Sequence, residues 1–139
     1  MNAPIAPLQK GVHLVSGPEA YLKASNLALL PPWFIAERTA DVEAMEAIAL
    51  KNFGLPEIWE SRIDAISVHD RLSQLKSIRH RTLIVVAEDD MVTPLYFSKQ
   101  LAETLPNATL KTLKTGGHMC MITTPDDYNR TVLDWLTAI

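Results

Sequence analysis

The chain of 139 residues has a single cysteine, Cys120, so no internal disulfide can brace it and a reducing compartment is the expectation. It has no block of lysines or arginines. Its 13 basic residues stand against 16 acidic ones for a net charge of −3, which argues against a nucleic-acid partner. It has no long apolar run either. The longest, Leu27 to Ile35, is interrupted by Pro31 and Pro32 and is too short to span a bilayer, so no membrane partner is expected. The opening Met-Asn-Ala-Pro-Ile-Ala-Pro offers neither a basic n-region nor an apolar h-region, so no secretory signal is read there and the cytoplasm is the expected location. Repeats and low-complexity tracts are missing as well. What remains is an ordinary globular composition, 47% hydrophobic and 21% charged, at a length that suits one core.

The pattern changes character near residue 80. Before it, the sequence reads as helices separated by proline. Ser16-Gly-Pro-Glu19 has the form of a capping box, and the helix it opens should carry Ala20, Leu22, Lys23 and Leu27 until Pro31-Pro32 stops it. Val42, Met45, Ala49 and Phe53 recur at helical spacing and predict a helix over 41–52, with Gly54 just past its end. Pro56 suits the first turn of a third helix to about Ile66, whose apolar side would be Ile58, Trp59, Ile63 and Ile66.

After residue 80 the order becomes strand, helix, strand, helix. Thr82-Leu-Ile-Val-Val-Ala87 is a short apolar run rich in β-branched residues, as expected of a strand buried on both faces. Thr93-Pro94 supplies an N-cap and a first-turn proline for a helix to about Leu105, ended by Pro106-Asn107. A second strand follows over 109–114 and Gly116-Gly117 breaks it. Thr124-Pro125 then opens a last helix with Tyr128, Val132, Trp135 and Leu136 turned inward. The fold class is α/β, with two parallel strands in a βαβα unit.

Open α/β sheets place their ligands at the carboxyl ends of the strands. The loop after the first strand holds Glu88-Asp89-Asp90, and the loop after the second holds Gly116-Gly117-His118. A carboxylate and an imidazole on neighbouring strand ends can pair. The carboxylate then fixes the ring tautomer and stabilises the imidazolium, and the second ring nitrogen is left to act as a general base. The plain alternative is that the two aspartates only cap turns and His118 is a polar loop residue.

Val-Val-Ala-Glu-Asp-Asp90-Met-Val-Thr-Pro94 followed by Gly-Gly-His118 resembles the C-terminal part of an α/β-hydrolase. In that family a triad acid follows one strand in a Gly-x-x-Asp-x-x-x-Pro-like loop, and a triad histidine follows the next in a Gly-His element. The resemblance makes Asp90 the acid, four residues before Pro94, and His118 the base, 28 residues further on. Ala87 stands where the family often has glycine, and His80-Arg81 where it often has a Cys-Pro-like pair. Residues 1–79 then resemble the family's helical cap, and residues 80–139 the end of its core. Within the family, Gly17 to Ala24, Pro31-Pro32-Trp33 and Gly-Gly-His118-Met-Cys120 are most similar to the aminoacrylate hydrolases of the Rut pyrimidine-degradation pathway. This implies hydrolysis of a small amide, enamine or ester substrate, with no organic cofactor. Trp33, Met91 and Met119 are the expected substrate contacts.

The family's nucleophile sits in Gly-x-Ser-x-Gly, and no serine here has glycine at both flanking positions; Ser16 lies between Leu14 and Pro18. The expectation is a chain that begins inside the cap and carries half of a hydrolase. Two strands would leave sheet edges to pair with a complementary N-terminal hydrolase segment or with a second copy of the chain. An inert truncated paralogue serving as an assembly module is the competing reading. Cys120 is read as a buried small apolar residue rather than a thiolate nucleophile. No metal is expected, because three consecutive carboxylates cannot converge on one ion beside a single histidine. His13, His69 and His80 are isolated in sequence, which suits surface or capping positions.

Overall fold

The computed structural model describes residues 6–138. Four helices precede the first strand: α1 (Ala6–Leu29), α2 (Pro32–Glu37), α3 (Thr39–Lys51) and α4 (Pro56–Val68). A 3-10 turn (Leu72–Ser77) leads into β1 (Thr82–Ala87), α5 (Leu95–Thr104), β2 (Ala108–Leu113), the single turn α6 (Cys120–Thr123) and α7 (Pro125–Thr137). β1 and β2 pair in parallel, Thr82 opposite Ala108 through Ala87 opposite Leu113. Among the described residues these are the only two strands of the sheet.

The three expected helices form, with local differences, and the structure adds two helical stretches that the sequence reading did not place, residues 6–16 and α2. α1 is two helical pieces that meet at Gly17, whose φ of 78° and ψ of −178° lie outside the helix. Gly17 thus occupies the cap position ahead of Pro18, rather than Ser16, because proline fits the first helical residue and only glycine takes that φ cheaply. Glu19 pairs with Lys23 one turn along, at 3.1 Å, instead of reaching back. Pro31-Pro32 does end α1, but Pro32 also starts α2, its missing N–H costing nothing in a first turn. On α4 only Ile63 is buried. Ile58 and Ile66, expected on its apolar side, are about half exposed, so that face is narrower than its sequence spacing implies.

Two clusters hold this region together. Leu30, Phe34 and Val42 are buried against each other, with Leu29, Trp33, Ile35 and Met119 packed around them. The second corrects the reading of His13. Its ring is buried against Phe53 at 5.2 Å, Trp59 at 4.3 Å and Tyr21 at 6.0 Å, which ties α1 to the ends of α3 and α4. The reason is the aromatic company of Tyr21, Phe53 and Trp59, which packs around the ring. His69 and His80 are exposed, as expected. Lys10 on α1 bonds Asp64 on α4 at 2.5 Å. The first cluster yields a stability prediction: Leu30→Ala should cost about 2 kcal/mol, the low end for a buried leucine because this core is small. Urea unfolding followed by circular dichroism measures it.

In the C-terminal unit, Val85, Ala87, Leu113, Cys120 and Tyr128 pack together and seat α7 on the sheet, while α5 packs on both strands as the crossover. β1 is less covered than its composition implies. Val86 and Ala87 are buried, but Leu83, Ile84 and Val85 are half-buried, because β1 has one neighbouring strand here. For the same reason Leu136 of α7 is 50% exposed, not turned inward. Arg81 finishes α7 from outside. Its guanidinium stacks on Trp135 and donates to the carbonyls of Trp135 and Ala138, satisfying acceptors that a helix end leaves open.

Candidate active site

The strand-end loops bring Asp90 and His118 together. The loop after β1 turns back on itself because Asp90 accepts, on Oδ1, the amides of Val92 at 2.8 Å and Thr93 at 2.9 Å. This side-chain turn is favoured by aspartate. Its Oδ2 accepts the Thr93 hydroxyl at 2.8 Å and faces His118 Nδ1 at 3.0 Å. Thr93 is therefore not the N-cap of α5, a position that falls to Pro94. Its hydroxyl is spent on the carboxylate instead, 3.3 Å from the same imidazole nitrogen.

This arrangement favours the ionised form of Asp90 and orients the ring beside it. Burial pushes the Asp90 carboxyl up, but the bonds from His118 and Thr93 and the attraction of His118 outweigh it and hold the group below its usual range. An ionised Asp90 on Nδ1 selects the tautomer with its proton there and leaves Nε2 as the basic nitrogen. The Asp90 side chain is 6% exposed and that of His118 33%, so the acid is enclosed while the ring reaches solvent.

Asp89 points elsewhere. Its Oδ2 accepts the Thr115 hydroxyl at 2.6 Å and the Gly116 amide at 3.3 Å, and its Oδ1 accepts the Gly117 amide at 2.8 Å. Burial raises this carboxyl, and those three bonds more than reverse the effect, so it too lies below the usual range. The Trp33 indole N–H donates to the Thr115 hydroxyl at 3.0 Å, and the Met119 amide donates to the Leu29 carbonyl at 3.1 Å. Both contacts fasten the His118 loop to the N-terminal helices. A pH dependence follows. A carboxyl held below its unfolded value adds stability above that value and loses it as pH falls through the folded one. The urea midpoint should therefore drop as pH falls below about 4, and in an Asp89→Asn, Asp90→Asn double variant that acid drop should be smaller.

Of the expected substrate contacts, Trp33 and Met119 flank the Leu30–Phe34–Val42 cluster, whereas Met91 is 62% exposed on the loop after β1. Cys120 is buried against Ala87 and Leu113. Burial, and then the nearby Asp90 charge, push its thiol up, so it stays protonated and is a poor nucleophile. Glu88 is exposed. Among the described residues no group of three or more His, Cys, Asp or Glu converges to hold a metal ion, and no helix is long and apolar enough to cross a membrane. Sequence reasoning took Asp89 only as a turn cap and Thr93 only as a helix N-cap, and it missed Thr115. The Asp-x-x-Thr-Pro spacing carried a signal for Thr93, since it is the spacing of a side-chain turn.

Known proteins resemble the chain in both sequence and fold. A family model described as TAP-like protein, of the α/β-hydrolase kind, matches residues 60–138. A Pseudomonas savastanoi protein named "Putative carbamate hydrolase RutD" is 40% identical over 94% of this chain and 51% of its own length. A protein of the same name from Azorhizobium caulinodans is 37% identical over 95% of the chain and 50% of its own. The chain thus spans about half the length of these relatives. Among solved structures, the enol-lactonase of Burkholderia xenovorans superposes with a TM-score of 0.86 over 99% of this chain and 52% of its own, at 17% identity. The α/β hydrolase MGS-M2 from a deep-sea metagenome does so with a TM-score of 0.78 over 100% and 54%, at 24% identity. Fold and family match agree, and the chain belongs to the TAP-like α/β-hydrolase family.

Proposed function

We propose that the chain supplies the acid and base of a serine-type hydrolase site, with Asp90 the acid and His118 the base. The observation that carries this reading is the 3.0 Å contact of Asp90 Oδ2 with His118 Nδ1 at the ends of two adjacent parallel strands. In this reading Nε2 takes the proton of a serine hydroxyl as it attacks the substrate carbonyl. The imidazolium, stabilised by Asp90, then returns the proton to the leaving group, and water repeats the cycle to release the acyl product. The serine and the oxyanion donors come from a complementary hydrolase segment paired at the edge of the sheet, since no Gly-x-Ser-x-Gly is present in this sequence.

The same reading takes residues 1–79 as a cap and residues 80–139 as the end of the catalytic core. All four helices of the first part precede β1, and both strands lie in the second part. Met91 and Met119, each next in sequence to a member of the pair, give a small substrate an apolar flank, with Trp33 behind the His118 loop. The substrate class is a small acid derivative. An amide or ester reacts by these acyl steps, whereas an aminoacrylate-like enamine, with no leaving group on a carbonyl, is hydrolysed by protonation at carbon and addition of water to the iminium, which releases ammonia. The relatives named "Putative carbamate hydrolase RutD" add a carbamate as a second candidate of this class. The cytoplasm is the compartment that suits it.

The test is hydrolysis of p-nitrophenyl acetate by the purified chain beside its His118→Ala variant, with the mass measured by light scattering. The reading expects no turnover above the variant's background. Turnover lost in the variant would show that the chain supplies its own nucleophile and would overturn the assignment of the serine to another segment.

A further inference from the structure

We propose that Asp89 is a positioning residue for the base: its carboxylate sets the turn that presents His118, so that Asp89 and Asp90 jointly fix where the imidazole stands. The inference rests on the acid–base reading of Asp90 and His118 and deepens it. Gly116 and Gly117 have φ of 140° and 62°, which turns two successive amides toward one side of the chain. Such a concavity ordinarily attracts an anion. Here the anion is internal, because both amides donate to Asp89, and the Thr115 hydroxyl adds a third bond at 2.6 Å. His118 is the next residue. Its backbone therefore leaves a turn held by Asp89, and its ring arrives at the carboxylate of Asp90, one residue further along the other loop.

The two aspartates divide the work. Asp90 faces the ring, and Asp89 holds the loop that carries it. Losing Asp89 would leave Asp90 in place but remove three of the bonds that seat the loop carrying the ring. The Met119–Leu29 and Thr123–Gly116 bonds would be left to hold it, and displacements of about 1 Å matter greatly for proton transfer. The clamp also reaches the N-terminal helices. Thr115 donates to Asp89 and accepts from the Trp33 indole, so the seating of α2 and the placement of the base share one hydroxyl.

Histidine ring ¹⁵N and ¹H NMR of the full chain tests this. Wild type should show His118 in the single tautomer protonated at Nδ1, with a downfield Nδ1–H signal. Asp89→Ala should lose that signal and give averaged tautomers, while the strand amides keep their shifts. Asp89→Asn should fall between, since one amide oxygen cannot accept all three donors. If Asp89→Ala fails to fold, Thr115→Val carries the test. It should move the Trp33 indole N–H and broaden the His118 ring signals. Unchanged His118 signals in a folded Asp89→Ala, or in Thr115→Val, overturn the proposal while leaving the acid–base reading intact. A wild-type His118 without the Nδ1–H tautomer, insensitive to Asp90→Asn, overturns that reading and this inference with it.

Discussion

Gly117→Ala is expected to destabilise the protein by about 3 kcal/mol, a large loss for one methyl group. Gly117 has a φ of 62°, where an L side chain costs about 1–2 kcal/mol. A Cβ there would lie 2.8 Å from the Leu29 carbonyl oxygen and 3.0 Å from the Pro31 ring. Both belong to the stiff junction of α1 and α2, so relief requires backbone movement, and overpacking of this kind costs about 1–3 kcal/mol. The Leu29 carbonyl is also the acceptor for the Met119 amide, and Gly117's own amide is held by Asp89. A shift at this point loosens the contact between the helices and the His118 loop from both sides. Urea unfolding checks the magnitude. An Ala variant as stable as wild type would mean that the loop does not approach Leu29 as closely as described.

The largest effect on catalysis is expected from Asp90→Asn, measured in a chimera that joins this chain to the half of the Pseudomonas savastanoi relative that it does not match. An asparagine keeps the size of the side chain but can present its amide N–H to His118 Nδ1. That favours the wrong tautomer and removes the charge that stabilises the imidazolium. The turnover number should fall by about 10³-fold or more, with KM changed little, because the interaction is made chiefly in the transition state. Thr93 supplies a control. Thr93→Val removes one of the four groups around the Asp90 carboxylate and leaves the charge, so its effect should be far smaller.

Much of the C-terminal unit was legible in the sequence because its signals are local. The apolar run 82–87 locates β1 to the residue, and Thr124-Pro125 marks the start of α7. The order strand, loop, helix, strand, loop showed that a carboxylate of the first loop could meet His118, since adjacent parallel strands put their ends side by side, and the resemblance to α/β-hydrolases is what singled out Asp90. What escaped is what depends on contacts across the chain. The Trp33–Thr115 bond joins residues 82 apart, and the Asp89–Gly117 bond joins residues 28 apart; neither leaves a periodic trace. His13 was misplaced for a related reason. Its surroundings are built by Tyr21, Phe53 and Trp59, two of which lie on or beyond a different helix, so nothing near it in sequence announces its burial. β1 shows the opposite case. Its composition is that of a strand covered on both faces, yet its coverage is limited by a sheet of two strands, and composition alone cannot count neighbours.

The central claim is that His118, held by Asp90, is the base of a hydrolase site completed by another segment. The most direct measurement is p-nitrophenyl acetate hydrolysis by the chimera with His118 and with His118→Ala, both shown to be folded by circular dichroism. The account predicts turnover in the first and a loss of about 10³-fold or more in the second. Equal turnover in both, or none in a folded chimera with His118 intact, would contradict it.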